Sequence, residues 1–230
     1  MKSPERILDA AEKLFAEKGY DAASLRAITS EARVNLAAVN YHFRSKEALL
    51  QAVFARRLGP LNRERLELLD DCEAAAGNGS PVLEEILAAL IAPVLRLGQS
   101  PEGAAFTKLI GSMFAHPGEG LQRIFMEQLR DISLRFVAAL RRARPQLPPE
   151  DVYWRIHFTI GCMAHTLARA QLLSLVSNGR CDSSDTEKAI SKIIPFVAGG
   201  WRSPAPLGKR SFKRRPRGAV KSASRGKPRL

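Results

Sequence analysis

The sequence predicts an all-α chain, and three observations carry that prediction. Apolar residues recur at spacings of three and four along most of the chain up to Trp201. No stretch shows the apolar-polar alternation of a half-buried strand. Gly, Pro, Asn and Ser gather between the periodic runs, where helices stop and start.

Ser3 and Pro4 make an N-cap and first-turn pair for the first helix. Ile7, Leu8, Ala11, Leu14 and Phe15 form its inward stripe, and Gly19 ends it. Leu25, Ile28 and Ala32 mark a short second helix. Asn35 is the N-cap of a third, in which Leu36, Val39 and Phe43 fall within about 60° of one another at 100° per residue. Those three are expected to face inward. Ala37, Ala38 and Tyr41 then point away, with Asn40 and His42 on the flanks.

Ser45 caps a fourth helix carrying Leu49, Leu50, Val53, Phe54 and Leu58. Gly59-Pro60 is expected to interrupt it before a helical pattern resumes to about Cys72. Residues 74–80 read as a loop, and Pro81 opens the next helix, in which Pro93 predicts a kink or a break. Phe106, Leu109, Ile110, Met113 and Phe114 mark a helix that His116-Pro117-Gly118 stops. The following helix runs to about Arg144, and Pro145, Pro148 and Pro149 close it. One long helix is expected over 150–177, a turn at Asn178-Gly179, and a last helix over 184–199.

The net charge of +13 is unevenly placed. Residues 202–230 hold eleven Lys and Arg and no acid, so the tail carries most of the excess. Such a segment has little to bury and is expected to be disordered, adding sequence-independent contacts to phosphates. No apolar run reaches the roughly 18 residues of a membrane span. Nor does the N-terminus hold a secretory apolar core, so the chain is expected in the cytoplasm. Three cysteines, Cys72, Cys162 and Cys181, lie far apart and argue against a disulfide framework.

The second and third helices make a helix-turn-helix. The outer face of the third, small residues with Asn, Tyr and His, suits entry into a major groove. Residues 6–58 resemble the DNA-binding domain of the TetR family of bacterial regulators. The resemblance rests on RILDAAEKLFAEKGYDAASLRAIT and VNLAAVNYHFRSKEALL, above all on Tyr41-His42-Phe43 followed by Ser45-Lys46. Arg33 stands in the turn where that family usually has Gly; in a left-handed conformation it costs roughly 1 kcal/mol. VNLAAVNYHFRSKEALLQAVFARRLGPLN and LPPEDVYWRIHFTIGCMAHTL further resemble the PsrA-type branch, whose effectors are fatty acids or their thioesters.

That resemblance implies three parts: a DNA-binding head over 1–58, an effector-binding and dimerisation body over 59–201, and the basic tail over 202–230. It implies a ligand-responsive repressor that binds a palindromic operator as a homodimer. Residues assigned to DNA are Arg26, Asn35, Ala37, Ala38, Asn40, Tyr41, His42 and Lys46, the last on a phosphate. An acyl-chain cavity is assigned to Phe106, Ile110, Met113, Phe114, Phe125, Leu129 and Phe136, closed by Trp154, Phe158 and His165. Arg130 or Arg155 is placed near its mouth.

His157, Cys162 and His165 share one helix without a third ligand at metal spacing, so they read as core or interface residues. No P-loop, GxSxG, GxGxxG or HExxH pattern occurs, and no catalytic residue, metal or cofactor is assigned. Two rival classes remain on the residues alone. One is a helical small-molecule or lipid carrier without specific DNA binding. The other is a helical enzyme built around His157 and His165.

Overall fold

A computed structural model describes residues 3–100, 103, 105–110, 119–182 and 184–205. These form helices and no strand. Met113, Phe114, His116 and the tail from 206 lie outside the described residues.

The first four helices are α1 (Ser3–Lys18), α2 (Leu25–Glu31), α3 (Leu36–Phe43) and α4 (Lys46–Ala76). They pack around Ile7, Ala11, Phe15, Ile28, Val39, Leu49, Leu50, Val53 and Phe54, all without solvent exposure. Caps fix where each short helix starts. Ser24 Oγ accepts from Ala27 N–H at 3.1 Å, Asn35 Oδ1 from Ala38 N–H at 2.8 Å, and Ser45 Oγ from Ala48 N–H at 3.0 Å.

Glu12, on the inner face of α1, is buried and paired with both Arg56 and Arg57 of α4. Arg56 also reaches Asp9 at 2.7 Å. This ionic clasp fixes α1 against α4 where apolar contact alone leaves rotation free.

The second body consists of α5 (Leu83–Gln99), α6 (Glu119–Ala143), α7 (Pro149–Ala168), α8 (Ala170–Val176) and α9 (Thr186–Arg202). Residues 105–110 are also helical. A second core joins Leu69 of α4 to Ile86, Leu87 and Ile91 of α5, Phe136 and Leu140 of α6, Val152 of α7, and Ile193 and Trp201 of α9. Trp201 Nε1 donates to Thr159 Oγ1 at 3.0 Å, so its buried N–H is satisfied.

Three expected boundaries move. Gly59-Pro60 does not interrupt α4, which runs 31 residues without a break. Leu58, Leu61, Arg65 and Leu69 are buried on both sides of Pro60, and that tertiary packing outweighs the roughly 3 kcal/mol an interior proline costs. Pro93 is likewise carried inside α5. The single helix expected over 150–177 is instead two, parted at Arg169, whose backbone (φ −131, ψ 27) is not helical. Neither Gly nor Pro stands there, so the pattern holds no stop signal.

Candidate functional site

The turn between α2 and α3 is closed by Arg33 at φ 52. Arg33 N–H donates to Ser30 O at 3.1 Å and Val34 N–H to Thr29 O at 3.0 Å, the paired bonds of a Schellman end. Arg33 therefore does the work of glycine and carries the strain the sequence predicts. Arg6 Nη2 donates to its carbonyl at 3.1 Å, tying the turn to α1.

From this turn α3 projects. Val39 is fully buried and Phe43 half-buried, which anchors the inner face. Leu36 is a correction: it is 41% exposed, because it opens the helix at the rim, one turn before the core contact at Val39. Ala38 is the second correction. It packs half-buried against the head core, so it does not face outward. Ala37, Asn40, Tyr41 and His42 are exposed, and Tyr41 at 84% is the most prominent large side chain there. Its ring meets His42 edge-on at 5.0 Å. Asn35 is exposed too, but its Oδ1 is engaged in capping α3.

Lys46 turns inward. Its Nζ donates to Asp21 O at 3.2 Å and lies 4.5 Å over the Tyr20 ring, and burial pulls its ammonium below the usual lysine range. The residue assigned to a phosphate thus braces the start of α4 against the α1–α2 connection. Arg26 and Arg44 are exposed, and their side chains form no ion pair among the described residues. Arg44, at φ 65 just after α3, was not singled out from sequence; its position between a groove-facing helix and a capped helix start is the signal for it.

The residues assigned to the effector do not converge. Phe106 is buried and Ile110, Phe125 and Leu129 half-buried, all packed against the head core. Phe54 meets Phe106 at 6.1 Å and Phe125 at 5.7 Å, ring to ring, filling the junction between head and body. Phe136 belongs to the second core. Trp154 and Phe158 stack at 5.8 Å on the outer side of α7, 53% and 59% exposed, and His165 is exposed on the same helix. These three therefore do not close a cavity.

The cause is that α7 is apolar on opposite faces. Val152, Ile156, Met163 and Leu167 take the inner one, which periodicity does not distinguish from the outer. Arg155 is tied to the end of α9 through Gly200 O, Ser203 O and Ser203 Oγ. Arg130 is exposed.

A crevice of about 10 Å³ between α5, α7 and α9, lined by Leu95, Gln99, Thr166, Leu167, Thr186 and Ala189, is too small for more than a water. A ligand enters there only if the helices part. Arg65, in the middle of α4, is buried, and sequence reasoning passed over it. Its Nε donates to Leu90 O at 3.0 Å. Asn62 beside it donates to Gln128 O at 3.3 Å, so α4, α5 and α6 meet at this pair. Among the described residues no three metal-ligating side chains gather, and no helix is long and apolar enough to cross a membrane.

Residues 7–53 match the family described as bacterial regulatory proteins, tetR family. Residues 88–200 match the tetracyclin repressor-like C-terminal domain. The chain is 28% identical over 148 residues to the HTH-type nicotine-responsive transcriptional repressor HdnoR of Paenarthrobacter nicotinovorans, covering 64% of this chain and 74% of that relative. It is 31% identical over 106 residues to the HTH-type transcriptional regulator TtgW of Pseudomonas putida, covering 46% of this chain and 70% of the relative.

Among solved structures, the fatty acid degradation regulator FadR of Bacillus halodurans superposes with a TM-score of 0.65 at 16% identity, over 89% of this chain and 98% of that one. FadR of Bacillus subtilis, in complex with stearoyl-CoA, gives 0.59 at 16% identity, over 83% and 97%. At such identity these two speak for the fold alone. The head match, the body match and the similarity to TtgW agree, and the chain belongs to the TetR family of bacterial transcriptional regulators.

Proposed function

We propose that the chain is a ligand-responsive repressor that binds a palindromic operator as a homodimer, released by an acyl-chain effector. The observation that carries the DNA half is the outer face of α3. Asn40, Tyr41 and His42 stand exposed on a helix whose other side is locked by Val39. In the groove, Ala37 allows close approach, the three polar side chains read base edges, and Arg26 and Arg44 meet phosphates. Lys46 joins them once it leaves Asp21. Residues 1–58 act as the head, 59–201 as the body, and the tail over 202–230 adds phosphate contacts of no sequence preference.

The dimer is assigned to the outer faces of α7 and α9, where Tyr153, Trp154, Phe158 and Phe196 are exposed together with His157. An apolar patch of this kind on a soluble chain favours a partner, and two-fold pairing sets the two α3 helices roughly 34–36 Å apart or a multiple of it. For the effector, support comes from the apolar body and from the two FadR neighbours, one of them bound to stearoyl-CoA.

Selection of genomic fragments by the purified protein, followed by titration against the selected and a scrambled duplex, tests the DNA half. Equal affinity for both would overturn it. Calorimetry with a fatty-acid series tests the effector. Each added CH₂ contributes about 0.8 kcal/mol until the site is full, and affinity indifferent to chain length would remove the acyl chain.

A further inference from the structure

The buried stripe of α4 reads Phe54, Leu58, Leu61, Arg65, Leu69. Arg65 is its one charged member, 6% exposed. Leu58 and Leu61 belong to the core shared with the head, and Leu69 to the core of the body. Arg65 therefore lies at the seam between two apolar cores, and Leu129 of α6 packs against both.

Every acceptor it has there is neutral: Leu90 O at 3.0 Å, and Asn62 Oδ1 at 3.5 Å. No carboxylate among the described residues pairs with it; Glu64, next in sequence, is exposed. Buried charges in proteins are ordinarily paired, and this one pulls the guanidinium down to about 10 through desolvation. The other buried ion, Glu12, has two arginines. The interior of the body is thus left with one unbalanced positive charge.

We propose that Arg65 is the receptor for the anionic head group of the effector, taking a carboxylate or phosphate at the seam while the apolar chain lies among Leu61, Leu90 and Leu129. The proposal rests on the acyl-effector reading above and adds the group that recognises the head. The planar fork of a guanidinium matches two oxygens of a carboxylate or phosphate, and in a desolvated setting the pair is strong. A cationic amine is disfavoured at the same point, because it meets a like charge out of water.

A purely structural role is the rival. Pro93 cannot donate to Ala89 O, and Arg65 bonds the carbonyl next to it, bracing α5. The two roles differ in what a ligand feels. A brace changes stability, whereas a receptor sets preference between acid and alcohol.

The test titrates the full-length protein with a ten-carbon fatty acid and the primary alcohol of the same length. Wild type is expected to favour the acid by about tenfold to a hundredfold, the value of a hydrogen bond to a charged group. Arg65→Gln is expected to erase that preference while alcohol affinity changes by less than about threefold. Arg65→Lys, which keeps charge without the fork, holds an intermediate preference and serves if the Gln variant does not fold. An acid preference that survives in Arg65→Gln or is undiminished in Arg65→Lys, or equal binding of both compounds by wild type, overturns the receptor and leaves the acyl reading standing. Failure of wild type to bind either compound overturns both.

Discussion

Replacing Tyr41 with Ala separates reading from folding, because the side chain is 84% exposed and touches only His42 edge-on at 5.0 Å. The folded state loses at most one weakly held ring contact, within about 0.5 kcal/mol for a surface site. In the groove the loss is larger. A good base contact is worth about 1–3 kcal/mol, and a two-fold dimer makes it twice, giving about 2–6 kcal/mol per operator. Even the low end is about 30-fold in affinity. Fluorescence anisotropy with the selected operator and a scrambled duplex, at several salt concentrations, measures it. Specific binding is expected to fall while the slope against salt stays fixed, since tyrosine neutralises no phosphate. Operator affinity within twofold of wild type, with the helical signal intact, would refute the assignment of α3 as the reading element. An equal loss on both duplexes would refute base readout by this ring.

Arg33→Gly relieves a left-handed backbone at φ 52 and keeps both Schellman bonds and the Arg6 contact, which use main-chain atoms. It is expected to stabilise by about 0.5–1 kcal/mol and raise Tm by a few degrees; an unchanged or lower Tm counts against strain there. Glu12→Gln leaves Arg56 and Arg57 facing a neutral group, and is expected to cost about 2–3 kcal/mol in urea unfolding, below the range for fully buried pairs because both guanidinium groups reach solvent. A change under about 0.5 kcal/mol shows that the clasp is idle. Phe196→Glu places a charge on the outer face of α9, 73% exposed in the single chain. It is expected to give a folded monomer in sedimentation and to weaken operator binding; a dimer that persists moves the interface elsewhere.

Helix existence and the recognition surface were legible because local rules decide them. Ser24, Asn35 and Ser45 are caps by residue type and position, and each makes its cap bond. Val39 faces the core because no other side of α3 offers enough apolar surface. The body was less legible, for a physical reason: α7 is apolar around most of its circumference, so period alone does not say which stripe is core and which is surface. Trp154 and Phe158 were therefore assigned inward and stand outward. Lys46 shows the same limit for charge, since a lysine beside a helix start reads as a phosphate ligand until the fold supplies Asp21 O and the Tyr20 ring. Glu12 and Arg65 passed unnoticed because their meaning depends on partners 44 or 25 residues away.

The same long-range dependence explains why α4 survives Gly59-Pro60, and it bears on how an effector is felt at the DNA. At 31 residues and 1.5 Å per residue the helix is about 46 Å long. Its start is capped by Ser45 beside α3, its first turns are clasped to Glu12 of α1, and Arg65 stands about 30 Å along, twenty residues past the cap. Pro60 falls between clasp and seam. It gives Arg56 O no i+4 donor, so the ladder is weakest where head contacts hand over to body contacts. A helix that breaks a local rule at the one point joining two packed units is held by both and free to reorient if either lets go. A ligand head drawn to Arg65 displaces its bonds to Leu90 O and Asn62, and so changes how the distal half of α4 is held while Glu12 keeps the proximal half with the head. In the proposed dimer the distal halves belong to a shared body, so their shift moves the two α3 helices apart or together.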